Sequence, residues 1–188
     1  MLLWRSCGGM NNRAARFYHS GETEDAVWFL RKLATLHPHA ALVACGISLG
    51  GNVLTKLVGD ASLELPANLR AAAAVSTPFD LELRSLRVKA LEKAARYPDL
   101  FPHPDVIARI RTLWEFDDLI TGPLHGFAGA SDYYTRSSGI HYVQSARIPL
   151  LLLSAADDPF LPADVLDEVR RRASTNPLVH TEFVTHGG

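Results

Sequence analysis

Cysteine is scarce in this chain, with only Cys7 and Cys45 among 188 residues. That excludes a disulfide framework and, in the absence of any paired C-x-x-C, a structural zinc site, so a reducing compartment and a cytoplasmic location are expected. An excess of one charge is lacking too. Nineteen basic residues against twenty acidic ones leave a formal net charge of −1, and no Lys/Arg cluster is interleaved with aromatics. A phosphate-reading surface needs both, so nucleic acid is excluded as a partner. No apolar run approaches the roughly 20 residues of a membrane span, and the opening MLLWRSCGG has neither the basic start nor the long apolar stretch of a signal peptide. Histidines 19, 37, 39, 103, 125 and 141 do not have the paired spacing that metal binding requires, so no metal is expected.

What the chain does have is apolar content, 47% over 188 residues, enough for one substantial core. MLLW reads as the tail of a buried strand running into a Gly/Asn loop. Thr23, followed by Glu24 and Asp25, predicts a helix start, and Ala26, Phe29, Leu30 and Leu33 then fall at helical spacing. Continuous apolar runs over 40–45, 71–75 and 148–153 predict strands buried on both faces, as in a parallel sheet. Helical patterns over 50–58 and 163–173 follow two of them, and 178–184 predicts a last strand. The alternation is that of an α/β fold with a mostly parallel sheet. Between the second and third runs, Pro98, Pro102, Pro104 and Pro123 break up several short helical segments. An insertion this long within a sheet usually covers something, so residues 77–147 are expected to form a helical cap.

The chemistry concentrates in GISLG, residues 46–50, set directly between a predicted strand and a predicted helix. In that setting G-x-S-x-G is a nucleophile elbow: a sharp turn lifts the serine hydroxyl off the sheet, at a backbone cost of about 1–3 kcal/mol. Gly46 and Gly50 are expected where side chains would collide as strand and helix converge, and the Leu49 N–H would supply half of an oxyanion hole. The bland alternative is a chance match in a glycine-containing turn; the flanking elements favour Ser48 as nucleophile. An acid and a histidine should follow in that order. SAADDPFLP, after the third apolar run, offers Asp157 and Asp158, and the D-P-F-L-P turn favours Asp158 over a loop role for both. His186, near the chain's last residue, is the base that spacing alone would choose, while His180 reads as a packing or surface residue. Cys45 reads as a small core residue, Asp117 and Asp118 as helix caps, and Trp114, Phe127, Tyr133 and Tyr134 as core aromatics or an acyl pocket.

YHSGETEDA, GISLGGN, VSTPFDL, FDDLITGPLHGFAGASDYY, AADDPFLP and the closing THGG together resemble the YheT-like family of α/β-hydrolases. The resemblance implies an α/β-hydrolase fold and a serine hydrolase of carboxylic ester bonds that needs no metal or organic cofactor. It matches Ser48 to the family nucleophile and Asp158 to its acid. The expected partner is a small ester or lipid-like substrate, its acyl and alcohol groups selected within 77–147. The family's closing motif runs H-G-G-H and its second histidine is the base, which would fall directly after Gly188 and leave His186 a loop residue. Family members also carry earlier strands and an H-G-x-x-G segment that completes the oxyanion hole. Nothing in residues 1–40 matches that segment, and SCGG (6–9) does so only in glycine content. The sequence is therefore expected to be an internal fragment, or a mis-started and truncated reading frame, incomplete at both ends and inactive by itself. The alternative is a non-catalytic α/β-hydrolase-like binding module.

Overall fold

The computed structural model describes residues 1–188 except 6, 8–11, 78–82, 159–162 and 186–188. In chain order the elements are α1 (Glu24–Leu36), β1 (Leu42–Ile47), α2 (Leu49–Gly59), β2 (Leu69–Val75), α3 (Leu83–Arg96), α4 (Pro104–Arg109), α5 (Leu113–Phe116), α6 (Gly122–Leu124), α7 (Ala130–Ser137), β3 (Leu150–Ala155), α8 (Ala163–Ala173) and β4 (Val179–Val184). They divide between two units, residues 1–19 with 80–136 and residues 20–79 with 137–188.

The second unit holds a four-stranded sheet in the order β1-β2-β3-β4, every neighbouring pair parallel. The strands form where the sequence has short runs of Leu, Val and Ala, and each is separated from the next by a helical crossover, as parallel pairing demands. Val27 and Leu30 of α1, Leu54, Leu57 and Val58 of α2, and Val143, Ala146 and Ala173 pack against Leu69, Ala72, Ala74, Leu150 and Leu152. Leu57 and Val58 are completely buried, each contributing about 1.5–3 kcal/mol. The C-terminus of α2 is closed by Arg147, whose guanidinium donates to the carbonyls of Leu57, Val58, Asp60 and Leu63.

The other face of β1 is bare. Val43 is 70% and Ile47 68% exposed, and Cys45 between them is exposed as well. The expectation of a buried Cys45 therefore fails: β1 is an edge strand, and these alternate residues point away from the helices.

Two local expectations also change. Residues 1–4 form no strand, Leu3 is exposed, and none of the four strands pairs with them. Thr23 makes no side-chain cap to α1; the Glu24 N–H instead donates to the Glu22 carboxylate at 3.1 Å. The predicted insertion is helical, but its last part, with the 3₁₀ turn Gly139–Ser145, belongs to the sheet unit.

The first unit has its own core of Phe17, Leu86, Ala90, Ala94, Phe101, Ile107, Ile110, Phe116 and Ile120. Lys93 is buried within it, donating to Asn12 Oδ1 at 2.7 Å and to the Ala14 carbonyl at 2.5 Å, and burial lowers its pKa. The FDDLIT stretch includes a π-helical turn, Asp117–Thr121. Asp118 accepts the Ala130 N–H at 2.9 Å and so caps α7, while Asp117 accepts the Tyr134 hydroxyl at 2.5 Å. Burial raises the Asp117 pKa, opposed by its hydrogen bonds from Thr121 and Tyr134.

Candidate active site

Ser48 links β1 directly to α2, with φ 58° and ψ −131°. A non-glycine residue at that φ is strained by about 1–3 kcal/mol and stays there only when its surroundings hold it. On the strand side its N–H donates to the Val75 carbonyl at 2.9 Å. On the helix side its carbonyl accepts from the N–H groups of Gly51 at 2.8 Å and Asn52 at 3.4 Å. The close approach of strand to helix falls at Gly46, where a Cβ would lie 2.2 Å from the Gly50 carbonyl oxygen, and at Gly51, where it would lie 2.5 Å from Thr77 Cγ2. The collision expected at Gly50 is not there: a Cβ at that position meets no described atom within 4 Å. The second crowded glycine is Gly51 because the tight contact comes from Thr77, just past the end of β2.

Asp158 lies three residues beyond Ala155, the last residue of β3, and its N–H donates to the Ala155 carbonyl at 3.4 Å. Since all strands run parallel, the chain leaves β1 at Ser48, β3 toward Asp158 and β4 at Val184 along the same edge of the sheet. One strand, β2, stands between the exits of β1 and β3, a lateral separation of about 10 Å. Asp157 is exposed and Asp158 half-buried. The rest of the D-P-F-L-P turn (159–162) and His186 lie outside the described residues. Leu49 opens α2, so its N–H has no acceptor within the helix and stands directly beside Ser48.

Two features at this edge escape the sequence. Ser76 takes φ 41°, a second strained non-glycine residue, with its N–H on the Leu153 carbonyl at 2.9 Å. Asn52, one turn into α2, is buried and hydrogen-bonded through its side chain to residues 20, 137 and 139. Only the position of Asn52 directly after GISLGG hinted at it.

The remaining titratable residues singled out in the sequence gather elsewhere. His19 and His125 pair in the first unit with ring centroids 4.3 Å apart, edged by Phe127 and Tyr133. Burial, reinforced by Arg16 and Arg5, lowers the His125 pKa to about 4, and its buried Nε2 has no hydrogen-bond partner among the described residues. Trp114 stacks on Tyr134 at 5.5 Å, and Tyr133 is almost fully buried. His180 is exposed beside Glu182. Among the described residues no group of three or more His, Cys, Asp or Glu is placed to hold a metal ion, and no helix is long and apolar enough to cross a membrane.

No family model matches the chain. It is 39% identical over 207 aligned positions to the Escherichia coli protein named "Putative esterase YheT", covering 100% of this chain and 59% of that protein. It is 26% identical to the monoacylglycerol lipase of Saccharomyces cerevisiae, over 91% of this chain and 43% of the lipase. The chain thus spans about two-fifths to three-fifths of the length of these curated relatives. Among solved structures, a Pyrococcus furiosus esterase superposes with a TM-score of 0.53 at 17% identity, covering 96% of this chain and 58% of the esterase, a likeness of fold. With strand, strained serine, helix and parallel crossovers in this order, the chain has an α/β-hydrolase fold, and its whole length is similar to the Escherichia coli YheT protein.

Proposed function

We propose that these residues carry the nucleophile and acid of a serine hydrolase acting on carboxylic esters. The observation that carries the reading is the Ser48 backbone, held at φ 58° between a parallel strand and a helix, an arrangement that costs energy and returns nothing in a pure scaffold. Ser48 Oγ attacks the ester carbonyl carbon while its proton passes to a histidine base, in the family motif the residue directly after Gly188. The carbonyl electrons move onto oxygen, and the Leu49 N–H at the start of α2 donates to that oxyanion, aided by the positive end of the helix. The tetrahedral intermediate collapses, the alcohol leaves with the proton from the histidine, and the acyl group stays on Ser48. Water, deprotonated by the same histidine, then hydrolyses the acyl-enzyme. Asp158 orients the histidine and stabilises its cationic form; the exits of β3 and β4 on the serine's edge of the sheet support this role.

The substrate class is a small or lipid-like carboxylic ester. Relatives named as esterase and lipase support it. The test is hydrolysis of p-nitrophenyl esters by a chain extended at both ends to the length of those relatives. Ser48→Ala should abolish turnover, and Asp158→Asn should reduce kcat far more than Asp157→Asn. His186→Ala should leave turnover intact, whereas replacing the histidine after Gly188 should abolish it. Full activity in Ser48→Ala would overturn the reading, and loss of activity in His186→Ala alone would move the base to His186.

A further inference from the structure

Asn52 stands one turn beyond Ser48 on α2, and both of its side-chain functions reach backbone far away in sequence. Its Nδ2 donates to the Ser20 carbonyl at 2.9 Å and to the Ser137 carbonyl at 2.8 Å, and its Oδ1 accepts the Gly139 N–H at 2.6 Å. Two acceptors face the amide nitrogen and one donor faces the oxygen, so a carboxamide suits the place and a carboxylate does not. Ser20 and Ser137 are the residues at which the chain passes into the sheet unit from 1–19 and from 80–136. The fit at 139 is close: a Cβ there would lie 2.9 Å from Asn52 Oδ1 and 3.1 Å from the Asn52 carbonyl oxygen.

We propose that Asn52 is a positioning residue for the Ser48 elbow, pinning the first turn of α2 so that the serine and the Leu49 N–H keep their placement. This rests on the serine hydrolase reading given above. The elbow is strained, and strain persists only where several contacts oppose its release. On the strand side the opposition comes from the Ser48 N–H bond to Val75 and the contact between Gly46 and Gly50. On the helix side the Gly51 and Asn52 amides bind the Ser48 carbonyl, but these bonds belong to α2 itself and would travel with it. Resistance has to come from outside the helix. Gly51 against Thr77 supplies some of it, and the Asn52 side chain supplies three hydrogen bonds to segments 32, 85 and 87 residues distant. Without the carboxamide, the Ser137 carbonyl and the Gly139 N–H lose these bonds in a buried place. Recovering partners for them requires the first turn of α2 to shift, and a shift of about 1 Å at a reacting group costs roughly a hundredfold in rate.

The extended chain tests this through fluorophosphonate labelling of Ser48 and steady-state ester hydrolysis. Asn52→Ala should lower kcat and the labelling rate about a hundredfold with KM changed less than about threefold, while prolonged labelling still reaches one phosphonyl group per chain. Asn52→Asp should be no better, because a carboxylate offers nothing to the Ser20 and Ser137 carbonyls. Gly139→Ala, which crowds Asn52 from the other side, should also slow labelling. Arg147→Ala loosens the opposite end of the same helix and should lower the melting temperature while labelling at the wild-type rate. An Asn52→Ala protein that melts lower yet labels at the wild-type rate would reduce Asn52 to a structural residue and overturn the proposal. Should Asn52→Ala fail to fold, a folded Gly139→Ala protein with wild-type labelling overturns it equally. An unsubstituted chain that neither labels at Ser48 nor hydrolyses esters would instead sink the serine hydrolase reading, and the positioning role with it.

Discussion

Replacing Gly46 and Gly50 by alanine, one at a time, should move the protein in opposite directions, although the two glycines flank Ser48 symmetrically in GISLG. At position 46 the new methyl would sit 2.2 Å from the Gly50 oxygen and 2.5 Å from the Gly50 carbon. These are backbone atoms, so no rotamer change relieves the clash, and β1 and α2 must part by about 1 Å to restore ordinary contact. Overpacking of this kind costs about 1–3 kcal/mol, and a 1 Å displacement of the nucleophile costs roughly a hundredfold in rate. At position 50 the methyl meets no described atom within 4 Å, and alanine is preferred over glycine within a helix by up to about 1 kcal/mol. Calorimetric melts and fluorophosphonate labelling of the extended chain read both effects. Gly46→Ala should melt several degrees lower and label slowly; Gly50→Ala should melt at or above the parent temperature and label normally. A Gly46→Ala protein as stable and reactive as its parent, or a Gly50→Ala protein that falls as far, would refute the steric account of the elbow.

His125 should make the first unit acid-sensitive. Its folded pKa of about 4 lies below the ordinary 6.5, so the unfolded chain binds the extra proton in between, and stability falls as pH drops from about 6.5 toward 4. The full shift would be worth about 3 kcal/mol, and solvent screening at this half-buried ring reduces the expectation to about 1–2 kcal/mol. His125→Phe should flatten that pH dependence in chemical denaturation, and an unchanged slope would contradict the assignment. The 188 residues alone should self-associate, because β1 presents an open edge with Val43, Cys45 and Ile47 exposed; a monomer in sedimentation velocity at micromolar concentration would count against this.

The sheet was legible because its strands are short apolar runs separated by helical patterns, and the observed β2, β3 and β4 fall close to the runs at 71–75, 148–153 and 178–184. The sharp turn at Ser48 was legible because the motif came with its strand and its helix. Cys45 was not. A continuous apolar run signals burial without saying whether each face has a covering layer, and on an edge strand one face is open. The exchange of Gly50 for Gly51 as the crowded position depends on Thr77 approaching from the next strand, a tertiary contact that no local pattern encodes. Asn52 reads locally as a poor helix former, and its worth comes from partners brought together only by the fold. At α1 the sequence placed the helix correctly but not its cap: Thr23 makes no side-chain cap, and the first helical amide, Glu24 N–H, goes to the Glu22 carboxylate.

The most direct test of the account is to trap the acyl-enzyme. The extended chain is mixed with p-nitrophenyl butyrate, quenched in acid within the first turnovers, digested and analysed by mass spectrometry. The account predicts one butyryl group on the peptide containing Ser48, absent from Ser48→Ala, together with a burst of p-nitrophenol matching the enzyme concentration. Ester turnover with the butyryl group on another residue, or turnover that survives in Ser48→Ala, would contradict it.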